Sequence, residues 1–160
     1  MNLDILIFDM DGVLIDVSKS YRETIRKTGH IYLKTCLGFE IGRRGPILKE
    51  DITLFKSMGG FNNDWDLTSG LLLYLLSISG IPHSPKRKRF SSIEEAVQYL
   101  KERSSKFPRE GVRMFQKKNL SSFFREMKSL GGGLKGVRRA LGNTWEGWVY
   151  RSGNLDRENL

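Results

Sequence analysis

The chain has 160 residues, 27 Lys and Arg against 18 Asp and Glu, one Cys, two His and 39% apolar residues. That length suits one domain, and the apolar share is too high for a globally disordered polypeptide. One Cys excludes an internal disulfide framework and a multi-Cys zinc site, and two His disfavour a His-built metal centre. No apolar run approaches the roughly 20 residues of a membrane span, and Met1-Asn2-Leu3-Asp4 lacks the basic start of a secretory signal. A soluble, cytoplasmic protein is expected. The net charge of +9 is uneven: Lys86 to Arg139 holds sixteen Lys and Arg and five Asp and Glu, a balance of +11, which leaves −2 for the rest. A basic half of this kind suits nucleic acid, an anionic substrate or a solvated helical surface.

In chain order, Leu3 to Asp9 is a short apolar, β-branched run bounded by Gly12, the pattern of a buried parallel strand. No second run pairs with it, although a parallel strand needs neighbours for its backbone donors and acceptors. Asp16 to Gly38 has a helical stripe through Tyr21, Ile25, Thr28, Ile31, Tyr32, Thr35 and Cys36, with Ser20-x-x-Glu23 as a capping box and Gly29 as a kink point. Phe39 to Pro46 is a Gly/Arg loop. Lys49 to Met58 is a second helix, stopped by Gly59-Gly60. Phe61-Asn62-Asn63 is turn chemistry, and Asp64 is the expected N-cap of a third helix, Trp65 to Ser79, ended by Gly80 and Pro82.

His83 to Phe90 is a basic linker. Ser92-x-x-Glu95 caps a fourth helix running to Ser104, and Pro108 and Gly111 interrupt the chain beyond it. Ser121 or Ser122 opens a helix to Leu130, Gly131-Gly132-Gly133 breaks it, and Leu134 to Leu141 forms one more. Gly142 to Leu160 is a polar stretch with two Trp. The cluster Lys86-Arg87-Lys88-Arg89 has the composition of an import or nucleic-acid signal, but a solvated linker explains it as well. Phe123, Phe124, Met127 and Leu130 stand at helical spacing and are assigned to the core rather than to base stacking, so a nucleic-acid partner is disfavoured.

The sharpest chemical signal is Ile7-Phe8-Asp9-Met10-Asp11-Gly12-Val13-Leu14 directly after the first strand. Two carboxylates at a strand's end repel each other and call for a hard cation, and Mg²⁺ suits them. A carboxylate beside a metal and a phosphate can act as a nucleophile, and a second can move protons. An EF-hand calcium loop would need further oxygen ligands, which Val13, Leu14 and Ile15 do not supply. A plain turn with two capping Asp residues is the bland alternative.

The second signal is Asp51-Ile52-Thr53-Leu54-Phe55-Lys56-Ser57-Met58-Gly59-Gly60-Phe61-Asn62-Asn63-Asp64-Trp65-Asp66-Leu67-Thr68. A helix ends at a Gly pair, an Asn turn comes next, and free N–H groups at the start of the third helix could meet an anion. Lys56, Asn62, Asn63 and Asp64 are therefore candidate substrate-binding residues; the alternative is a helix–turn–helix that only packs.

With these residues in view, the segment from Ile7 to Leu14 resembles motif I of the haloacid dehalogenase-like (HAD) hydrolases. The Asp51 to Thr68 segment resembles the helical cap of their subfamily IA, and its part from Phe55 onward resembles the cap signature of a branch of predicted phosphatases. The resemblance implies an α/β, HAD-like (Rossmannoid) parent fold. The chain itself would be mainly α-helical, with one core β-strand plus a large helical cap. Residues 1–16 would be the first strand and motif I, 17–150 the cap, and 151–160 the start of the return to the core. It further implies Asp9 as nucleophile and Mg²⁺ ligand and Asp11 as general acid/base and Mg²⁺ ligand, acting on a small phosphorylated metabolite. The later family motifs, a Ser/Thr-ended strand, a Lys and an acidic pair, have no counterpart in this sequence. The chain thus resembles an N-terminal portion, weakly active or inactive by itself because the transferring phosphoryl charge lacks stabilisation. Two rival expectations are a non-catalytic remnant whose partner chain completes the sheet, and a basic nucleic-acid-binding protein.

Overall fold

The computed structural model describes residues 20–84, 86, 88–107, 115 and 119–149. Six α-helices succeed one another: α1 (Ser20–Ile31), α2 (Lys49–Ser57), α3 (Asp64–Ser77), α4 (Ile93–Ser104), α5 (Leu120–Ser129) and α6 (Gly133–Ala140). A π-helical turn, Tyr32–Cys36, extends α1, and a 3₁₀ turn spans Glu146–Trp148.

The α/β expectation is corrected here. Beyond a single bridge residue at Phe90, the described residues contain no strand, and they show no Rossmannoid core. Their apolar residues recur at helical spacing, so burial is met by packing helix on helix. The expected strand at Leu3 to Asp9 lies outside the described residues. Among those described there is accordingly no sheet for a partner chain to complete.

At the centre stands α3. Its ten residues from Leu67 to Leu76 are all buried, and a helix apolar on every side must be enclosed. It packs against α1, α2 and α6. Each fully buried Leu contributes about 1.5–3 kcal/mol relative to exposure, so α3 dominates the core. From α2, Phe55 (0% exposed) meets Phe61, Tyr74, Phe123 and Phe124, the last edge-on at 5.3 Å. Phe123 and Met127 are buried, which bears out their assignment to the core.

Two of the expected caps shift along the chain. The N-cap of α3 is Asn63, whose Oδ1 accepts from the Asp66 amide at 2.8 Å, and Asp64 is the first helical residue. Asn63 is extended (φ −153°, ψ 164°), which carries its side chain over the free amides; Asp64 sits where a negative charge favours the helix dipole. Asn119, not Ser121 or Ser122, caps α5. Ser92 caps α4 as expected, while the Glu95 carboxylate reaches back to Ser91 instead of Ser92. The Glu23 carboxylate is held by Arg26 in a two-point pair of 2.6 and 2.9 Å.

Gly29 marks a close approach rather than a kink: a β-carbon there would collide with the Ile47 side chain. The helix departs from α geometry after Ile31, in the π-helical turn, where the Leu37 amide bonds Tyr32 O at 3.2 Å and the Phe39 amide bonds Leu33 O at 2.9 Å.

The two Trp expected in a polar tail are anchors. Trp148 is fully buried and donates through Nε1 to Pro82 O at 2.8 Å. Trp145 donates likewise to Ile81 O at 3.1 Å, and the Tyr32 hydroxyl donates to Trp148 O at 2.7 Å. The Arg103 guanidinium lies 4.3 Å from the Trp148 ring centre. Among the described residues no helix is long and apolar enough to cross a membrane.

Candidate functional site

Of the candidate residues, Asp9 and Asp11 lie outside the described residues. Lys56, Asn62, Asn63 and Asp64 are all exposed, on the last turn of α2 and the turn into α3. The structure gives each a different job. Asn63 is committed to capping, accepting from the Asp66 amide and donating to its carboxylate at 3.3 Å. Asp64 uses its carbonyl to receive the Thr68 hydroxyl at 2.7 Å. Asn62 makes no hydrogen bond among the described residues.

Lys56 is positioned by Tyr21. Its Nζ stands 4.0 Å from the centre of that ring, a cation–π contact between α2 and the first turn of α1. Arg22 Nε donates to the Tyr21 hydroxyl at 3.1 Å. Two cations from two helices therefore attend one phenol. Among the described residues, neither is engaged in an ion pair with a carboxylate. The contrast is Arg26, four residues on from Arg22, which Glu23 neutralises. The fixed fork of Arg and the compact charge of Lys together suit an oxyanion such as phosphate. The sequence pattern singles out Lys56 and misses Tyr21 and Arg22, because a helical stripe hides which aromatic also serves as a platform.

The turn carrying these residues is braced from behind. Gly59 and Gly60 (φ +71° and +78°) lie against Gly132 and Gly133, and the Gly133 amide donates to Gly59 O at 3.0 Å. A β-carbon on Gly60 would stand 2.8 Å from the Gly133 nitrogen, so the two backbones can meet only as glycines.

Among the described residues no group of three or more His, Cys, Asp or Glu could hold a metal ion. His83 stacks edge-on against Trp145 at 4.7 Å, and His30 lies on α1 beside Gly45. Cys36 is half-buried, and burial pushes its thiol up, which disfavours the thiolate of a nucleophile. A shallow, open groove of about 520 Å³ is lined by Lys34, Gly38, Phe39, Glu40, Ile41 and Gly42, and none of the candidate residues lines it.

Comparison with known proteins gives one informative relative. A protein of Phytophthora nicotianae named imidazoleglycerol-phosphate dehydratase is 38% identical over 92 residues, 58% of this chain and 18% of that protein. The chain thus spans about a fifth of that relative's length. No family model and no solved structure matches the chain. These findings correct the expected membership in the HAD hydrolases: no such family matches, and the relative is a dehydratase by name. The expected Mg²⁺-dependent phosphatase chemistry through an aspartyl-phosphate falls with it. The reason is physical: Asp-x-Asp-Gly occurs in loops of several kinds, and a Gly-ended helix leading into an Asn cap recurs wherever two helices join.

Proposed function

We propose that this chain is a helical module that recognises the phosphate of a small phosphorylated metabolite, within the setting of a larger enzyme. The observation that carries the reading is the pair of cations, Arg22 and Lys56, gathered at Tyr21 with no carboxylate among the described residues to neutralise either. The relative named for imidazoleglycerol-phosphate, itself a phosphate ester, supports the substrate class. Asn62 adds amide donors on the same turn, and Asp64 a carboxylate suited to hydroxyl groups. Asn63 acts indirectly, by holding the start of α3. Mg²⁺ belongs to the same proposal: Asp9 and Asp11, two carboxylates close in sequence, would hold it, and it would neutralise their mutual repulsion. A cytoplasmic setting belongs to the same reading, supported by the single free Cys36.

The test is calorimetric titration of the full chain with inorganic phosphate and glycerol 3-phosphate. Saturable binding that weakens by about tenfold in Lys56→Ala or Arg22→Ala, and disappears in the double variant, is expected, since a charged hydrogen bond is worth about 1.5–3 kcal/mol. Absence of binding by the wild type, or equal binding by the double variant, overturns the reading.

A further inference from the structure

We infer that His30 is an acid-sensitive latch: when its imidazole takes up a proton, Gly45 and the loop around it lift away from α1. The starting point is one atom. His30 Nδ1 is buried without a hydrogen-bond partner, and among the described residues no other buried side-chain nitrogen or oxygen lacks one. Gly45 (φ +66°) lies directly against it: a β-carbon there would stand 2.6 Å from Nδ1 and 3.4 Å from Cγ, so only a glycine lets the loop pass this close. A neutral imidazole tolerates the arrangement, with its proton on Nε2 and only a lone pair at Nδ1. A protonated imidazole does not, because Nδ1 then carries an N–H shut in with no acceptor.

The charges around the latch push the same way. On α1, Arg26 stands one turn before His30 with Lys27 beside it, and Lys34 follows one turn later. The loop brings Arg43 and Arg44, and the start of α2 brings Lys49 and Glu50. Of the nearby carboxylates, Glu23 is held by Arg26 and Asp51 receives the Leu48 amide at 2.8 Å; none bonds Nδ1. A new positive charge therefore meets mostly cations, and lifting the loop gives Nδ1 water as its acceptor. Histidine is the side chain whose ordinary charge change falls between pH 5 and 8. The loop's other tether, Arg26 to Arg44 O at 2.9 Å, keeps its charges over that range, since Arg26 holds the Glu23 carboxyl below its ordinary 4.5. An acid response of the loop is thus assigned to His30. Pro46 and Ile47 next to it are buried, with Ile47 pressed on Gly29, so opening uncovers apolar surface on α1. The latch shares no residue with the Tyr21 cluster and does not rest on the phosphate reading.

The test is amide hydrogen exchange of the full chain at pH 7.5 and pH 5.5, each rate divided by that of an unstructured chain at the same pH. Protection of the Gly45 amide, which bonds Gly42 O at 2.9 Å, should fall by about tenfold in acid while α3 keeps its protection. His30→Phe, which cannot take up a proton, should show the same loop protection at both pH values. His83→Phe, which removes the exposed second histidine, should keep the acid response. No acid response at the loop, an equal response in His30→Phe, or an equal loss of protection in α3 overturns the proposal. Should His30→Phe fail to fold, an NMR pH titration of the unaltered chain decides: the His30 Cε1–H and Gly45 amide signals must move with one midpoint, and separate midpoints overturn the latch.

Discussion

Asn63 and Asp64 are neighbours with equal credentials as helix caps, yet only Asn63 has the extended backbone that lets its side chain reach the Asp66 amide. Asn63→Ala should therefore destabilise the chain by about 1 kcal/mol, whereas Asp64→Ala should cost about 0.3–1 kcal/mol through the helix dipole alone. Urea denaturation of both variants separates the two roles; an equal or reversed order would show that Asp64 is the cap. Glu23 carries a pH effect. Its hydrogen-bonded pairing with Arg26 holds the carboxyl below its ordinary value of 4.5. A carboxyl with a depressed folded-state pKa stabilises the protein above its unfolded value, and that stabilisation is lost as pH falls through the folded value. The melting temperatures of wild type and Glu23→Gln should differ most near neutral pH and converge as pH falls through the depressed folded value. A gap that widens on acidification would contradict this pairing.

Between elements, the junction of the α2–α3 turn with the start of α6 is the most demanding contact. Gly133 has φ +57°, and a β-carbon on it would collide with the Gly60 carbonyl. Gly59, φ +71°, has open space around the same position. Gly133→Ala should cost more than about 2 kcal/mol, combining backbone strain with displacement of a packed turn, and Gly59→Ala only about 1 kcal/mol of strain. Equal losses in chemical denaturation would show that the backbone contact carries no energy of its own. Because Lys56 sits on the last turn before this junction, Gly133→Ala should also loosen the cation that Tyr21 positions.

For the molecule as a whole, what was legible in the residues is uneven. Helices α2, α3 and α4 come from strong local signals: a Gly pair, an Asn/Asp turn, a Ser cap and an apolar run too dense for anything but a central helix. The burial of Trp148 was not legible. Its partners, Pro82 and Tyr32, lie 66 and 116 positions away, and no local pattern encodes such a pairing. Lys56 was legible as a candidate because its segment is distinctive, but Tyr21 and Arg22 were not, since their meeting with Lys56 is a product of packing α1 on α2. The α/β fold and the phosphatase chemistry were misread because both leaned on a resemblance in short segments, while the described residues are held together by helix packing.

The Trp148 anchor also has a kinetic side. Contacts between residues so distant in sequence close large loops, which raises contact order and slows folding. During synthesis α1 and Pro82 emerge well before Trp148, at about 5–20 residues per second, so the helices can form while the latch that ties Tyr32, Pro82 and Arg103 together is still missing. Until Trp148 arrives, the apolar faces it covers stay open to solvent, and that interval is when the nascent chain is most exposed to aggregation and to capture by chaperones.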